Sequence, residues 1–171
     1  MKNRNAVLVF VTLFLLAVMS RWVGHAWNFT IVGGAFLFAG AYFQDKKVAV
    51  ALMLSAMLVS DLFIGFHNQM LTVYFSYLIV VALGFLLSTG ASRLKIAGFA
   101  LLGSTSFYLI SNFGVWYGGG LYPMTAAGLA ECYVMAIPFY RNQLVSDVVS
   151  AVAIFEVAKA VGVFAPAPAK T

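Results

Sequence analysis

F-G-V-W-Y-G-G-G-L-Y-P-M-T-A-A-G-L-A-E-C-Y-V-M-A-I-P, residues 113–138, breaks the pattern of the chain. Upstream, apolar blocks of membrane length alternate with very short connections. Here five glycines, two prolines, one Trp, three Tyr, the only Cys and a Glu crowd together. Lipid cannot satisfy freed backbone N–H and C=O groups, so irregular backbone at membrane depth must be buried by protein or line a cavity. The stretch therefore reads as a lid and half-helix above a binding cavity. The plain alternative is a long outer loop that joins two helices.

Working outward, apolar blocks lie at about Ala6–Val23, Phe29–Phe43, Val48–Ile64, Thr72–Ser88, Ile96–Asn112 and Leu144–Phe164. A spanning helix needs ~17–25 residues, which all but the second approach comfortably. Thr125–Ala136 is a seventh apolar piece, too short to cross. Pro138 lacks a donor and disfavours helix before it, which predicts a helix end near Ile137. The expected fold is an all-α membrane protein: six transmembrane helices plus a half-helix in the fifth, outer loop. Residues 1–164 form one bundle and 165–171, with two prolines, a disordered cytoplasmic tail.

Composition supports the bilayer. The chain is 63% hydrophobic and 9% charged with mean hydropathy +0.98, against roughly 45–50% and 25% for soluble domains. The net charge of +5 comes from scattered residues, so no nucleic-acid surface is expected. One cysteine excludes an internal disulfide. Small-residue pairs, Ala35 with Ala39 and Ala56 with Ser60, suit close helix approach.

Orientation follows from Lys and Arg. With the N-terminus inside, the inner segments hold Lys2, Arg4, Lys46, Lys47, Arg93, Lys95, Lys159 and Lys170. The outer ones hold only Arg21 and Arg141. Basic residues gather on the cytoplasmic side, so both termini are expected there.

The outer connections carry the chemistry. Arg21, His25, Trp27 and Asn28 lie in the first, and His67 in the second. Asn112, Trp116, Tyr117, Tyr122, Glu131, Cys132 and Tyr133 lie in or beside the third. The aromatics suit stacking on a flat heterocycle, with Gly118–Gly120 as a hinge. All of these except Cys132 are the expected substrate-binding set. Cys132 and His67 are expected metal ligands only if the substrate is a corrinoid, since thiolate and imidazole suit late transition metals. Asp61 and Asp147 are expected to pair with Arg21 and Arg141, because an isolated buried carboxylate is costly. No phosphate loop, nucleophile–base order or paired-carboxylate spacing is present. The reading is a binding protein that is no enzyme and holds no cofactor. The alternatives are a small intramembrane enzyme using Glu131, Asp61 or His67 as acid or base, and a structural accessory subunit.

A-I-P-F-Y-R-N-Q-L-V-S-D-V-V (136–149) resembles the start of the sixth helix in substrate-binding S-components of energy-coupling-factor vitamin transporters. N-F-T-x-V-G-G (28–34), S-D-L-F-I-G-F-H (60–67), N-F-G-V-W (112–116) and Y-P-x-T-x-x-G-L (122–129) resemble a bacterial six-helix transport family grouped near them. The resemblance implies a multi-pass protein of the bacterial inner (cytoplasmic) membrane, with a vitamin-sized substrate held near the outer face. Solitary cobalamin-transporting relatives make cobalamin the first expectation and another flat heterocyclic vitamin the second. It also implies an energy-coupling membrane module as partner, although Ala6–Val23 lacks the Ala-x-x-x-Ala docking surface of many S-components.

Overall fold

The structure, a computed structural model, describes residues 2–22 and 28–163. Among these the chain forms six helices and no strand: α1 (Lys2–Trp22), α2 (Val32–Tyr42), α3 (Lys46–Ile64), α4 (Met70–Gly84), α5 (Arg93–Gly118) and α6 (Ala126–Ala160). Local chemistry sets several starts. Asp45 accepts from the Lys47 N–H at the head of α3, Ser92 from Lys95 at α5, and Thr125 from Gly128 at α6. Each side chain satisfies one of the N–H groups that a helix start leaves open.

The bundle is organised around α2. Val32 to Gly40 are all buried, and α2 touches every other helix. Phe36 packs edge-on against Tyr77 at 5.3 Å, and Phe38 against Phe155 at 5.0 Å. At Gly40 and Gly84 the backbones of α2 and α4 meet; a Cβ on either would overlap the other chain segment. Ala35, Ala39, Ala56 and Ser60 are buried, as close packing requires.

Eleven residues give α2 a length of about 16 Å, half of a ~30 Å hydrocarbon core. Phe29–Phe43 therefore does not form the full-length span expected of it. A helix this short survives because its neighbours, rather than lipid, surround its ends. Three helices, α1, α3 and α5, are long and apolar enough to cross a membrane. Their outward residues, such as Leu8, Leu54, Leu58, Leu101 and Leu102, are exposed and apolar.

The expected half-helix and lid are corrected. α5 continues helical through Gly118, and α6 runs unbroken from Ala126 past Pro138 to Ala160, leaving only residues 119–125 outside helix. The Tyr108 hydroxyl donates to the Tyr133 carbonyl at 2.6 Å, and the Tyr133 hydroxyl donates to the Leu109 carbonyl at 2.8 Å. These two bonds tie the proline-containing stretch of α6 to α5. At about 52 Å, α6 exceeds any bilayer core.

Basic residues collect at one end. Lys46 lies 5.0 Å from the Phe85 ring, Arg93 pairs with Glu156 at 2.7 Å, and Lys159 reaches Glu156 and the Ala91 carbonyl. Arg21 and Asp61 mark the opposite half. The expected tail at 165–171 lies outside the described residues.

Candidate functional site

Two carboxylates are buried inside this apolar bundle, and each is held differently. Asp61, fully buried on α3, pairs with the Arg21 guanidinium of α1 at 2.6 Å. Its other oxygen accepts from the Tyr74 hydroxyl of α4 at 2.7 Å. Arg21 also donates to the Ser60 hydroxyl and to the Met57 carbonyl. The expected Arg21–Asp61 pair is therefore formed, and it ties α1, α3 and α4 together.

Asp147 does not pair with Arg141, which is exposed. Pro138 fails to end a helix, so Asp147 sits in the middle of α6 rather than near its start. It is 4% exposed and accepts from the Ser104 hydroxyl of α5 at 2.6 Å. The backbone N–H of Gly33 also reaches it. α2 begins at Val32 without a side-chain cap of its own, so Asp147 caps it from another helix. A Cβ at Gly33 would overlap the carboxylate, so only glycine lets the two approach. A negative group at a helix start is favoured by the open N–H groups and the helix dipole. The Gln143 amide, 5% exposed, lies close enough to interact with Asp147. Its Nε2 makes no hydrogen bond of normal geometry. Among the described residues no Lys, Arg or His pairs with Asp147.

Tyr77 of α4 lies near both sites. It is buried, its hydroxyl is hydrogen-bonded by Thr30, and it feels the charges of Asp147, Arg21 and Asp61. Between them the two clusters form a polar layer that draws on all six helices. It holds two carboxylates, one guanidinium, hydroxyls and an amide. With both acids ionised the layer carries one net negative charge, which suits a proton or a cationic group. Counted along α5 from Arg93, Ser104 lies about 16 Å from the helix start.

The other expected site residues stay apart from this layer. His25 and Trp27 lie outside the described residues. Asn28 is exposed with φ 59°, and His67 is exposed between α3 and α4. Asn112 donates to the Tyr108 carbonyl in its own helix at 2.8 Å. Trp116 donates to the Pro123 carbonyl at 2.9 Å, and Tyr117, 69% exposed, stacks on Phe113. Tyr122 is half-buried and Glu131 exposed. Together they form the tip of the α5–α6 hairpin.

Cys132 is buried between α5 and α6 with its thiol donating to the Asn112 carbonyl at 3.4 Å, and nothing joins it to His67. No group of three or more His, Cys, Asp or Glu gathers in metal-binding range among the described residues. Ser104, Tyr74, Tyr77, Gln143 and Gly33 were not singled out from sequence. The signals that could have found them were Asp147 within an apolar segment and the Gly33-Gly34 pair.

The family model described as "Family of unknown function (DUF6580)" matches residues 1–168, so the chain belongs to that family. Neither the curated proteins nor the solved structures give a significant match.

Proposed function

We propose that this member of a family of unknown function is a multi-pass membrane protein for uptake of a small, vitamin-like heterocycle. It crosses the bacterial cytoplasmic membrane six times, with both termini cytoplasmic. The observation that carries this reading is the buried polar layer. Ionisable groups inside a membrane bundle are expensive, and by default they mark substrate, ion or proton pathways. For a purely structural bundle an acid without a cationic partner is a costly cap for α2, since a neutral Ser, Thr or Asn could accept the same N–H. The short, enclosed α2 also fits this reading, because interrupted helices at membrane depth typically border binding sites.

The aromatic hairpin tip faces the outside. There Trp116, Tyr117 and Tyr122 offer stacking surface, and His67 and Asn28 offer hydrogen bonds. A flat heterocycle suits these groups better than a corrinoid ligated by Cys132, whose thiol is already enclosed. Mechanistically, the substrate is captured at the aromatic end and passes inward along the layer as the helices shift around α2.

Small-molecule mass spectrometry of the gently extracted protein tests the reading. The wild type should carry one heterocyclic compound, depleted in Trp116→Ala and Tyr122→Ala. No bound compound, or equal retention in both variants, would overturn capture at the aromatic end; cobalamin as the retained compound would restore the corrinoid reading.

A further inference from the structure

The geometry points to Asp147 as an exchangeable proton site whose occupancy controls the packing of α2 on α5 and α6. The inference rests on the transport reading, to which it adds the coupling ion. Asp147 is almost fully enclosed in the middle of α6, and its polar neighbours come from three elements: the Gly33 N–H of α2, the Ser104 hydroxyl of α5 and the Gln143 amide of α6. All are neutral. The titratable or charged groups facing it from other elements are Tyr77 of α4 and, through Tyr77, Arg21 of α1 and Asp61 of α3. Those two already neutralise each other, so a proton is the remaining way to discharge Asp147.

The second observation is Gln143. Its side chain, 5% exposed, lies within donor reach of the carboxylate, although the Nε2 contact falls short of normal hydrogen-bond geometry. An amide beside a carboxyl can turn over, offering its Nε2 to the ionised form or its carbonyl oxygen to the protonated one. With Asp147 ionised, its oxygens accept from Gly33 and Ser104, and α2 is held at its start. A proton from water on the outer side converts one oxygen into a donor. That oxygen can no longer serve an N–H and a hydroxyl equally, but it can donate to the Gln143 carbonyl oxygen after the amide turns over. The α2 start is then released, and the proton leaves to the inner side when the ionised arrangement re-forms. A hard metal cation would instead need a shell of oxygen ligands, whereas donors dominate here.

Infrared spectroscopy of the full chain in lipid nanodiscs, titrated from about pH 4 to about pH 9, reads the carbonyl stretch of a protonated, dehydrated carboxyl. The wild type should show one such band that disappears as pH rises. Asp147→Asn should abolish it and Asp61→Asn should leave it. Ser104→Ala removes a donor to the ionised form and should carry the band to higher pH, which serves as the readout if Asp147→Asn does not fold. A band lost instead in Asp61→Asn, or no titrating band in any variant, would overturn the assignment. A band abolished by sodium at constant pH would replace the proton with a metal ion. Because no substrate is added, these outcomes bear on Asp147 alone, whereas the bound-compound measurement bears on transport alone.

Discussion

Asp61 and Asp147 are both buried acids in an apolar bundle, yet one meets a guanidinium and the other meets only neutral donors. An ion pair fixes its helices in one arrangement, because separating the partners leaves a buried charge. A carboxylate held by an N–H and a hydroxyl has a second state within reach, since a proton removes the charge altogether. The contrast assigns the α1–α3 pair, pinned by Arg21 and Asp61, to the fixed part. It assigns the seam between α2, α5 and α6 to the part that changes.

The comparison breaks most readily at Arg21. Arg21→Ala strands Asp61 without its cation and should destabilise the protein by about 3–5 kcal/mol. Reversible unfolding in detergent micelles measures this. Arg21→Met combined with Asp61→Leu should recover most of the loss, because an apolar pair of similar volume needs no desolvation. If the double variant is as unstable as the single one, Asp61 has a role beyond the pair.

Gly33→Ala tests the other side. The new methyl overlaps the Asp147 carboxylate, and such overpacking costs about 1–3 kcal/mol. Asp147→Ala in the same chain should make that cost fall below the sum of the single effects, as coupled neighbours do. Additive losses would mean that the α2–α6 seam does not rest on this contact.

Tyr74→Phe is the smallest expected effect, about 1 kcal/mol, since Asp61 keeps Arg21 when it loses one hydroxyl donor. The same unfolding measurement applies. A loss as large as that of Arg21→Ala would erase the distinction between a cation-held and a donor-held acid.

Much of the framework was legible because apolar length and basic-residue position are one-dimensional signals. The boundaries of α1, α3 and α4 fall close to the apolar blocks, and the Arg21–Asp61 pair follows from charge and similar depth. Residues 113–138 misled for a physical reason. Pro138 disfavours helix in isolation, but in the folded bundle α6 runs unbroken past it, tied to α5 by two tyrosine hydrogen bonds. Extending α6 then moved Asp147 from a helix end to the middle of the helix and away from Arg141. Its partners could not be read from the chain, because Gly33 and Ser104 meet it only through tertiary packing. Nothing in the sequence marks Gly33 as the residue that must leave room for a carboxylate; that follows only from the fold.

Transport in proteoliposomes tests the central claim most directly, using the compound that co-purifies with the protein. With an inward proton gradient the wild type should accumulate it. Asp147→Asn should still bind the compound, but its gradient-driven accumulation should fall at least about tenfold, equivalent to ~1.4 kcal/mol of lost coupling. Equal accumulation by both proteins, or accumulation by the wild type that ignores the gradient, would contradict the account.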